Sequence, residues 1–107
     1  MIHKNNPDSI VIAKAKATTS AILDYAVKKR FDDLERSADI FDELMRRFPD
    51  NLEIRLLEAN ASTSTINAYG RAERFDDLER WTSRFDDLLQ RFPELRGFDW
   101  ENLGQYY

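Results

Sequence analysis

The chain contains no cysteine among its 107 residues, and it has only three glycines, three prolines and one histidine. Without cysteine it can form neither a disulfide framework nor a thiolate nucleophile or metal ligand. The scarcity of glycine and proline, together with 34% charged and 42% hydrophobic residues, favours a helical protein with long solvated faces. The length predicts a single domain over residues 1–107.

Long hydrophobic runs are also missing. The longest apolar stretch, residues 10–13, is far too short to cross a bilayer, and residues 1–7 lack the apolar run of an export signal. The net charge is −4, and the basic residues are interleaved with acids, so no basic stripe suited to nucleic acid is present. We therefore expect a cytoplasmic protein that binds neither membranes nor nucleic acid.

A seven-residue segment occurs twice in the chain. Arg-Phe-Asp-Asp-Leu-Glu-Arg spans residues 30–36 and again residues 74–80, a spacing of 44 residues. When residues 30–49 are aligned with residues 74–93, 13 of 20 positions are identical. A fixed period of this length is typical of stacked helical repeats.

Both copies predict an amphipathic helix. Apolar residues recur every three or four positions along one helical face, and a proline ends each pattern. Asp32 with Glu35, and Asp76 with Glu79, have the spacing of a capping box at the helix start. The apolar positions are Phe31, Leu34, Ala38, Phe41, Met45 and Phe48 in the first copy, and Phe75, Leu78, Phe85, Leu89 and Phe92 in the second.

The segments before these helices are predicted to be helical as well. Ser9 or Asp8 can cap the first, which runs to about Lys29, and Asn51 or Asp50 can cap the second. Both segments are rich in alanine, and the second also contains a run of serine and threonine. Because small side chains let helices approach closely, we expect these to be the inner helices of a stack.

The motif Tyr-x5-Phe-x2-Leu, which starts at Tyr25 and again at Tyr69, resembles the tetratricopeptide repeat. The period of 44 residues exceeds that family's usual 34 or so, and Lys29 and Glu73 stand where the family has a turn glycine. The resemblance implies an all-α fold of two antiparallel helix pairs, with a closed up-and-down four-helix bundle as the alternative. It places repeat 1 at about residues 9–49, repeat 2 at about 51–93 and a short C-terminal capping helix within 94–107.

The resemblance also implies where a partner would bind. In this family a ligand lies in a groove lined by the first helix of each repeat. Asparagine there suits the backbone of an extended peptide, and Lys16 and Arg71 suit a carboxylate. The polar groove positions carried over are Lys16, Thr19, Asn60, Thr63, Asn67 and Arg71, and the others are Leu23, Ala26, Val27 and Gly70.

Nothing in the sequence predicts enzymatic chemistry. The one histidine, His3, lies near the amino terminus, where a proton shuttle inside a pocket is not expected. The paired aspartates at residues 32–33 and 76–77 fit helix-start electrostatics better than metal binding. The sequence has no glycine-rich phosphate loop and no nucleophile elbow. We therefore expect no catalytic residue, no cofactor and no metal.

The expected function is a non-catalytic adaptor or scaffold that binds a protein or peptide. Two alternatives stay open, namely a self-associating structural module such as a homodimer, and a regulatory subunit that docks on an enzyme. Phe98, Trp100 and Leu103 are expected to fold back as a cap over the last repeat. Tyr106 and Tyr107 offer the alternative of an exposed recognition motif or a dimer contact.

Overall fold

The computed structural model describes the backbone of residues 7–97 and the side chains of residues 9–97. Over that range the chain forms four α-helices followed by a 3-10 turn, so the predicted all-α class is confirmed. The elements are α1 (Pro7–Lys28), α2 (Phe31–Arg47), α3 (Leu52–Arg71), α4 (Phe75–Arg91) and the turn Pro93–Gly97. The predictions for His3, Phe98, Trp100, Leu103, Tyr106 and Tyr107 fall outside the described residues.

The helices form two antiparallel pairs, as predicted. α1 packs along α2, and α3 packs along α4, while α1 and α3 also pack extensively on each other. By contrast, α1 and α4 share little contact, although they would be neighbours in a closed four-helix bundle. The pairs are therefore stacked side by side through their first helices, with α3 in the middle of the molecule.

The apolar face that the spacing predicts is buried in α2, but only partly in α4, where Trp81 and Leu88 are buried and Phe75 is 61% exposed. The amides of Phe48 and Phe92 make the last helical bonds, to carbonyls four residues back, at 2.8 and 3.0 Å. Pro49 and Pro93 follow at once and cannot donate the next bond, which is why the helices stop there. The buried residues of α2 are Phe31, Leu34, Ala38, Phe41 and Leu44.

The capping-box prediction for these helices is wrong. The N-cap residues are Arg30 and Arg74, and neither makes a side-chain capping bond. Arg30 Nε donates to Asp33 Oδ2 at 2.8 Å, and Arg74 forms the matching ion pair with Asp77 at 2.9 Å. The first aspartate of each pair stands inside the first turn, where it still faces the positive end of the helix. Glu35, the expected capping partner, instead contacts the second helix pair.

The turns between paired helices have the same conformation in both copies. Lys29 and Glu73 adopt left-handed backbone angles, with φ of 59° and 58°. In the first turn the amide of Arg30 donates to the carbonyl of Tyr25 at 2.9 Å, and the corresponding bond of the second turn measures 3.0 Å. This bond, from the residue after the left-handed position, defines a Schellman motif.

The first helices of the two pairs start as their sequences allow. Asn51 caps α3 as predicted, because its Oδ1 accepts a hydrogen bond of 3.1 Å from the amide of Ile54. α1 begins at Pro7, slightly before the predicted caps Asp8 and Ser9. Proline suits the first helical position, where an N–H group would have no helical partner.

The sequence predicts that two helices rich in small residues are inner helices; α3 is one, whereas α1 lies on the outside of the stack, with Ile10 and Val27 more than 70% exposed. α3 is buried almost all round, in spite of its serines and threonines. The hydroxyls of Ser62 and Thr65 donate to carbonyls four residues back at 2.8 and 2.9 Å, which satisfies them inside the core. Thr19 of α1 also donates to the carbonyl of Leu57 at 3.3 Å, so the two helices are in direct contact.

Candidate functional site

The two helix pairs are joined through the carboxylate of Glu35 on α2. Its Oε2 accepts hydrogen bonds from Trp81 Nε1 at 2.9 Å, from Arg80 Nη2 at 2.7 Å and from the hydroxyl of Tyr69. Burial by itself would raise the pKa of Glu35, but the bonds from Arg80, Tyr69 and Trp81 outweigh it, so the pKa is lowered. With its oxygens bonded in this way, Glu35 is placed to stabilise the interface between the pairs.

An aromatic stack lies beside this carboxylate. The rings of Phe31 and Tyr69 are 4.5 Å apart between centroids, with an angle of 21° between their planes. The guanidinium of Arg74 lies 4.8 Å from the first ring centroid and 5.4 Å from the second. A cation above stacked rings is favourable because the ring faces are electron-rich. The stack therefore joins α2 to the end of α3.

A second charged network connects α2, α3 and α4. Glu58 is buried, and its two carboxylate oxygens accept from Arg55 at 3.4 Å and from Arg84 at 3.2 Å. Arg84 also bonds Asp42 of α2 at 2.8 Å. Burial raises the pKa of Glu58, opposed by the charges of Arg84 and Arg55. The adjoining cavity of about 180 Å³ is lined by Asp42, Met45, Glu58, Arg84, Asp87, Leu88 and Arg91.

This network has the chemistry of a structural ion pair. A general acid or base needs an oxygen that can reach a substrate proton, and both oxygens of Glu58 are already bonded to arginine. Arg55 Nη2 is bonded in turn to the carbonyl of Phe48 at 3.0 Å, which holds the guanidinium against the end of α2. We therefore assign these charges to helix packing.

The predicted groove residues divide into two groups in the structure. Lys16 and Arg71 are exposed, and Asn60 and Asn67 are half-buried. Within the described part of the chain, Asn67 Nδ2 has no hydrogen-bond partner. Thr19 and Thr63 are both buried and donate to backbone carbonyls.

Because their hydroxyls are used inside the helix layer, Thr19 and Thr63 do not offer a hydrogen bond to a partner in this conformation. Asn60 is also separated from Arg71 by eleven helical positions, about 16 Å along α3. The six predicted residues therefore do not meet at one point. Whether the exposed ones contact a partner stays a prediction.

Part of the predicted surface does form a pocket, at the ends of α1 and α3. It has a volume of about 120 Å³ and receives residues from both helix pairs. Its lining consists of Ala26, Val27, Lys29, Ala68 and Arg71. Ala26, Val27 and Arg71 are among the groove positions that the resemblance implies, whereas Lys29 and Ala68 were missed. Lys29 had a signal in the sequence, since it stands at the turn position of the repeat.

The pocket combines an apolar surface with positive charge. Val27 has 74% of its surface exposed, which is unusual for an aliphatic residue in this molecule. Among the described residues, neither Lys29 nor Arg71 forms a salt bridge, whereas Lys28 pairs with Asp24 at 3.1 Å. The pocket can therefore accept a small apolar side chain with a carboxylate beside it.

Residues 9–97 contain no group of three or more histidine, cysteine, aspartate or glutamate side chains placed to hold a metal ion. None of the helices between residues 7 and 97 combines the length and apolar character that crossing a membrane requires.

The chain was also compared with known proteins. No protein-family model, no curated protein and no solved structure matches it.

Proposed function

We propose that the chain is a non-catalytic adaptor module that binds an extended segment of a partner protein at the pocket between the ends of α1 and α3. The observation that carries this proposal is the pocket itself, because Val27 and Lys29 come from one helix pair and Ala68 and Arg71 from the other. A site shared between two stacked pairs exists only when the stack is formed. Binding would thus depend on the repeat arrangement.

The lining specifies the chemistry of the partner. Ala26 and Ala68 provide a floor of small apolar side chains, and the exposed Val27 extends it. Lys29 and Arg71 carry positive charge at the rim, and a carboxylate placed between them would gain charge-assisted hydrogen bonds. We therefore propose a partner segment in which a small or medium apolar residue is adjacent to aspartate, glutamate or a free C-terminus.

The proposed class is tetratricopeptide-like. It is supported by the contact between the two first helices, and by the left-handed backbone of Lys29 and Glu73 at the positions where that family has a turn glycine. The longer period and the presence of only two helix pairs in the described residues distinguish the chain from a regular array of that family. The proposed setting is the cytoplasm, in keeping with the absence of cysteine.

The experiment is a selection of peptides from a random displayed library on immobilised protein, followed by affinity measurements on the selected peptides. We expect enrichment of acidic residues next to an apolar one. Arg71→Ala and Lys29→Gly should each weaken binding about tenfold, the loss expected for one charge-assisted contact. Glycine is chosen at residue 29 because it keeps the left-handed turn.

Arg46→Ala is the matched control, since Arg46 is an exposed arginine in the last turn of α2. It removes the same charge without touching the pocket, so the affinity should be unchanged. Selected peptides that lack acidic residues, or that bind Arg71→Ala as well as the unaltered protein, would contradict the proposed site.

A further inference from the structure

The second helix pair carries an exposed copy of the residues that the first pair uses to join the two. Phe31 is 8% exposed because it stacks on Tyr69, whereas its copy Phe75 is 61% exposed. Glu35 is bonded to α3 and α4, whereas its copy Glu79 is exposed and has no hydrogen bond or ion pair within residues 9–97. The start of α4 therefore exposes the same two side chains, a phenylalanine and a glutamate, with which α2 binds the second helix pair.

The complementary half is present on the first helix pair. Tyr25 is the copy of Tyr69, and Arg30 lies 5.3 Å from its ring centroid, as Arg74 lies 5.4 Å from that of Tyr69. The ring and the cation thus have the same mutual arrangement in both copies. An aromatic ring stacked on Tyr25 would therefore lie near the guanidinium of Arg30, just as Phe31, stacked on Tyr69, lies near the guanidinium of Arg74.

The charged contact has its counterpart as well. Arg80 binds Glu35 while it keeps an ion pair of 3.0 Å with Asp77 in its own helix. Arg36, the copy of Arg80, forms the same internal ion pair with Asp33. Arg36 can therefore bind a second carboxylate while it keeps its ion pair with Asp33.

We propose that these two halves bind each other between molecules, so that copies of this chain associate head to tail. In this contact Phe75 of one copy stacks on Tyr25 of the next, and Glu79 accepts hydrogen bonds from Tyr25 and Arg36 of that copy. The template is the contact between the two helix pairs within one chain. Because the two patches differ, the contact is heterologous and builds open chains of molecules in place of a closed dimer.

The proposed contact is weaker than its template. Ser37 stands at the position of Trp81, so the indole hydrogen bond to the glutamate is lost, and Ile40 stands at the position of Arg84. The association should consequently be reversible and depend on protein concentration. The described turn Pro93–Gly97 does not overlap the patch, because it follows the far end of α4, about 25 Å along the helix from Phe75.

The proposal does not depend on the peptide pocket, since the two surfaces share no residue. Its experiment is sedimentation velocity on the full chain over a range of concentrations up to about 1 mM, where weak contacts are populated. We expect the average mass to rise above the 12.6 kDa of the single chain as concentration increases. Phe75→Ala should weaken the association roughly tenfold or more, because a central aromatic anchor is removed.

The control is Leu52→Ala, which truncates another exposed apolar residue, at the start of α3 and 42% exposed. This variant should associate like the unaltered chain. A particle that stays at 12.6 kDa throughout the range, or an association that Phe75→Ala leaves unchanged, would overturn the proposal.

A charge exchange tests the pairing of patches directly. Arg36→Glu and Glu79→Arg should each weaken self-association, because each places like charges opposite one another. A mixture of the two variants should associate again, since both kinds of contact in the mixture then join opposite charges. Circular dichroism would establish that each variant is folded. Failure of the mixture to associate, with both variants folded and the unaltered chain associating, would also overturn the proposal.

Discussion

Phe31 of the first helix pair stacks on Tyr69 of the second at 4.5 Å, while its copy Phe75 is left 61% exposed. The sequence around the two phenylalanines is identical over seven residues, so their difference in environment comes from position in the stack alone. The repeat therefore provides internal control experiments, in which one substitution can be made at an interface and at an exposed copy of it.

Replacing the two phenylalanines with alanine should give very different losses of stability. Phe31→Ala removes a buried ring and its stack, and we expect about 3–4 kcal/mol of the free energy of unfolding to be lost. Phe75→Ala truncates an exposed ring and should cost less than about 1 kcal/mol. Urea unfolding at low protein concentration measures both. Equal losses would mean that the two rings do not have the environments described.

The glutamates offer a second matched pair. Glu35→Gln removes the charge that Arg80, Tyr69 and Trp81 bind, and since the side chain is 34% exposed we expect a loss of about 1–2 kcal/mol at pH 7. Glu79→Gln removes the same charge from an exposed position in the next repeat and should change stability by less than about 0.5 kcal/mol. Thermal or urea unfolding of both variants tests this, and a larger effect at Glu79 would contradict it.

The contribution of Glu35 should depend on pH in a defined direction. Its pKa in the folded protein lies below the ordinary value of 4.5, so its stabilising effect is complete above that pH and is lost as the pH falls through the folded-state value. The stability difference between the unaltered protein and Glu35→Gln should therefore shrink on acidification. Urea unfolding at a series of pH values from 7 downwards measures it. A difference that grows in acid would show that the carboxylate is not held in its charged form.

Glycine should stabilise both turns between paired helices. Lys29 and Glu73 have φ near 60°, a conformation that costs a residue with a Cβ roughly 1 kcal/mol and costs glycine nothing sterically. Lys29→Gly and Glu73→Gly should each raise the free energy of unfolding by about 0.5–1 kcal/mol. Lys28→Gly, one residue earlier at the end of α1, should lower it by a similar amount. If glycine at residue 29 or 73 lowered the free energy of unfolding, the left-handed backbone conformation assigned to these residues would be contradicted.

The buried ion network should respond unequally at its two acids. Glu58→Ala removes a buried side chain and leaves the buried guanidinium of Arg55 without its carboxylate acceptor, and a loss of about 3 kcal/mol is expected. Asp42→Asn affects a partner that is 57% exposed, and the expected loss is below about 1 kcal/mol. Chemical denaturation distinguishes the two. Near-equal effects would place Glu58 outside the ion pair.

Some of these features could be predicted from the sequence because they depend on local signals. The apolar spacing of α2 predicts the face that is buried, and the cap at Asn51 follows from residue type and position. In α4 the same spacing failed at Phe75, because no further helix pair within residues 7–97 covers it. The role of Glu35 could not be predicted in this way, because its partners lie 34, 45 and 46 residues further along the chain. The spacing between Asp32 and Glu35 predicted a helix cap, but Glu35 instead bonds to residues of the second helix pair.

The groove residues illustrate a different difficulty. A threonine on an inner helix can face a partner or bond its own backbone, and both arrangements fit the same sequence spacing. Thr19 and Thr63 adopt the second arrangement, whereas Arg71 remains exposed beside a pocket. The pocket itself depends on how closely the ends of α1 and α3 approach, which is a property of the stack and not of either helix.

The central claim is that a partner segment binds at the ends of α1 and α3. The most direct measurement is the map of backbone amide chemical-shift changes when an acidic peptide obtained by selection is titrated into the isotopically labelled protein. We predict that the largest changes cluster at Ala26, Val27, Lys29, Ala68 and Arg71, the lining of the pocket. Changes that cluster elsewhere, with these five amides unmoved at saturation, would contradict it.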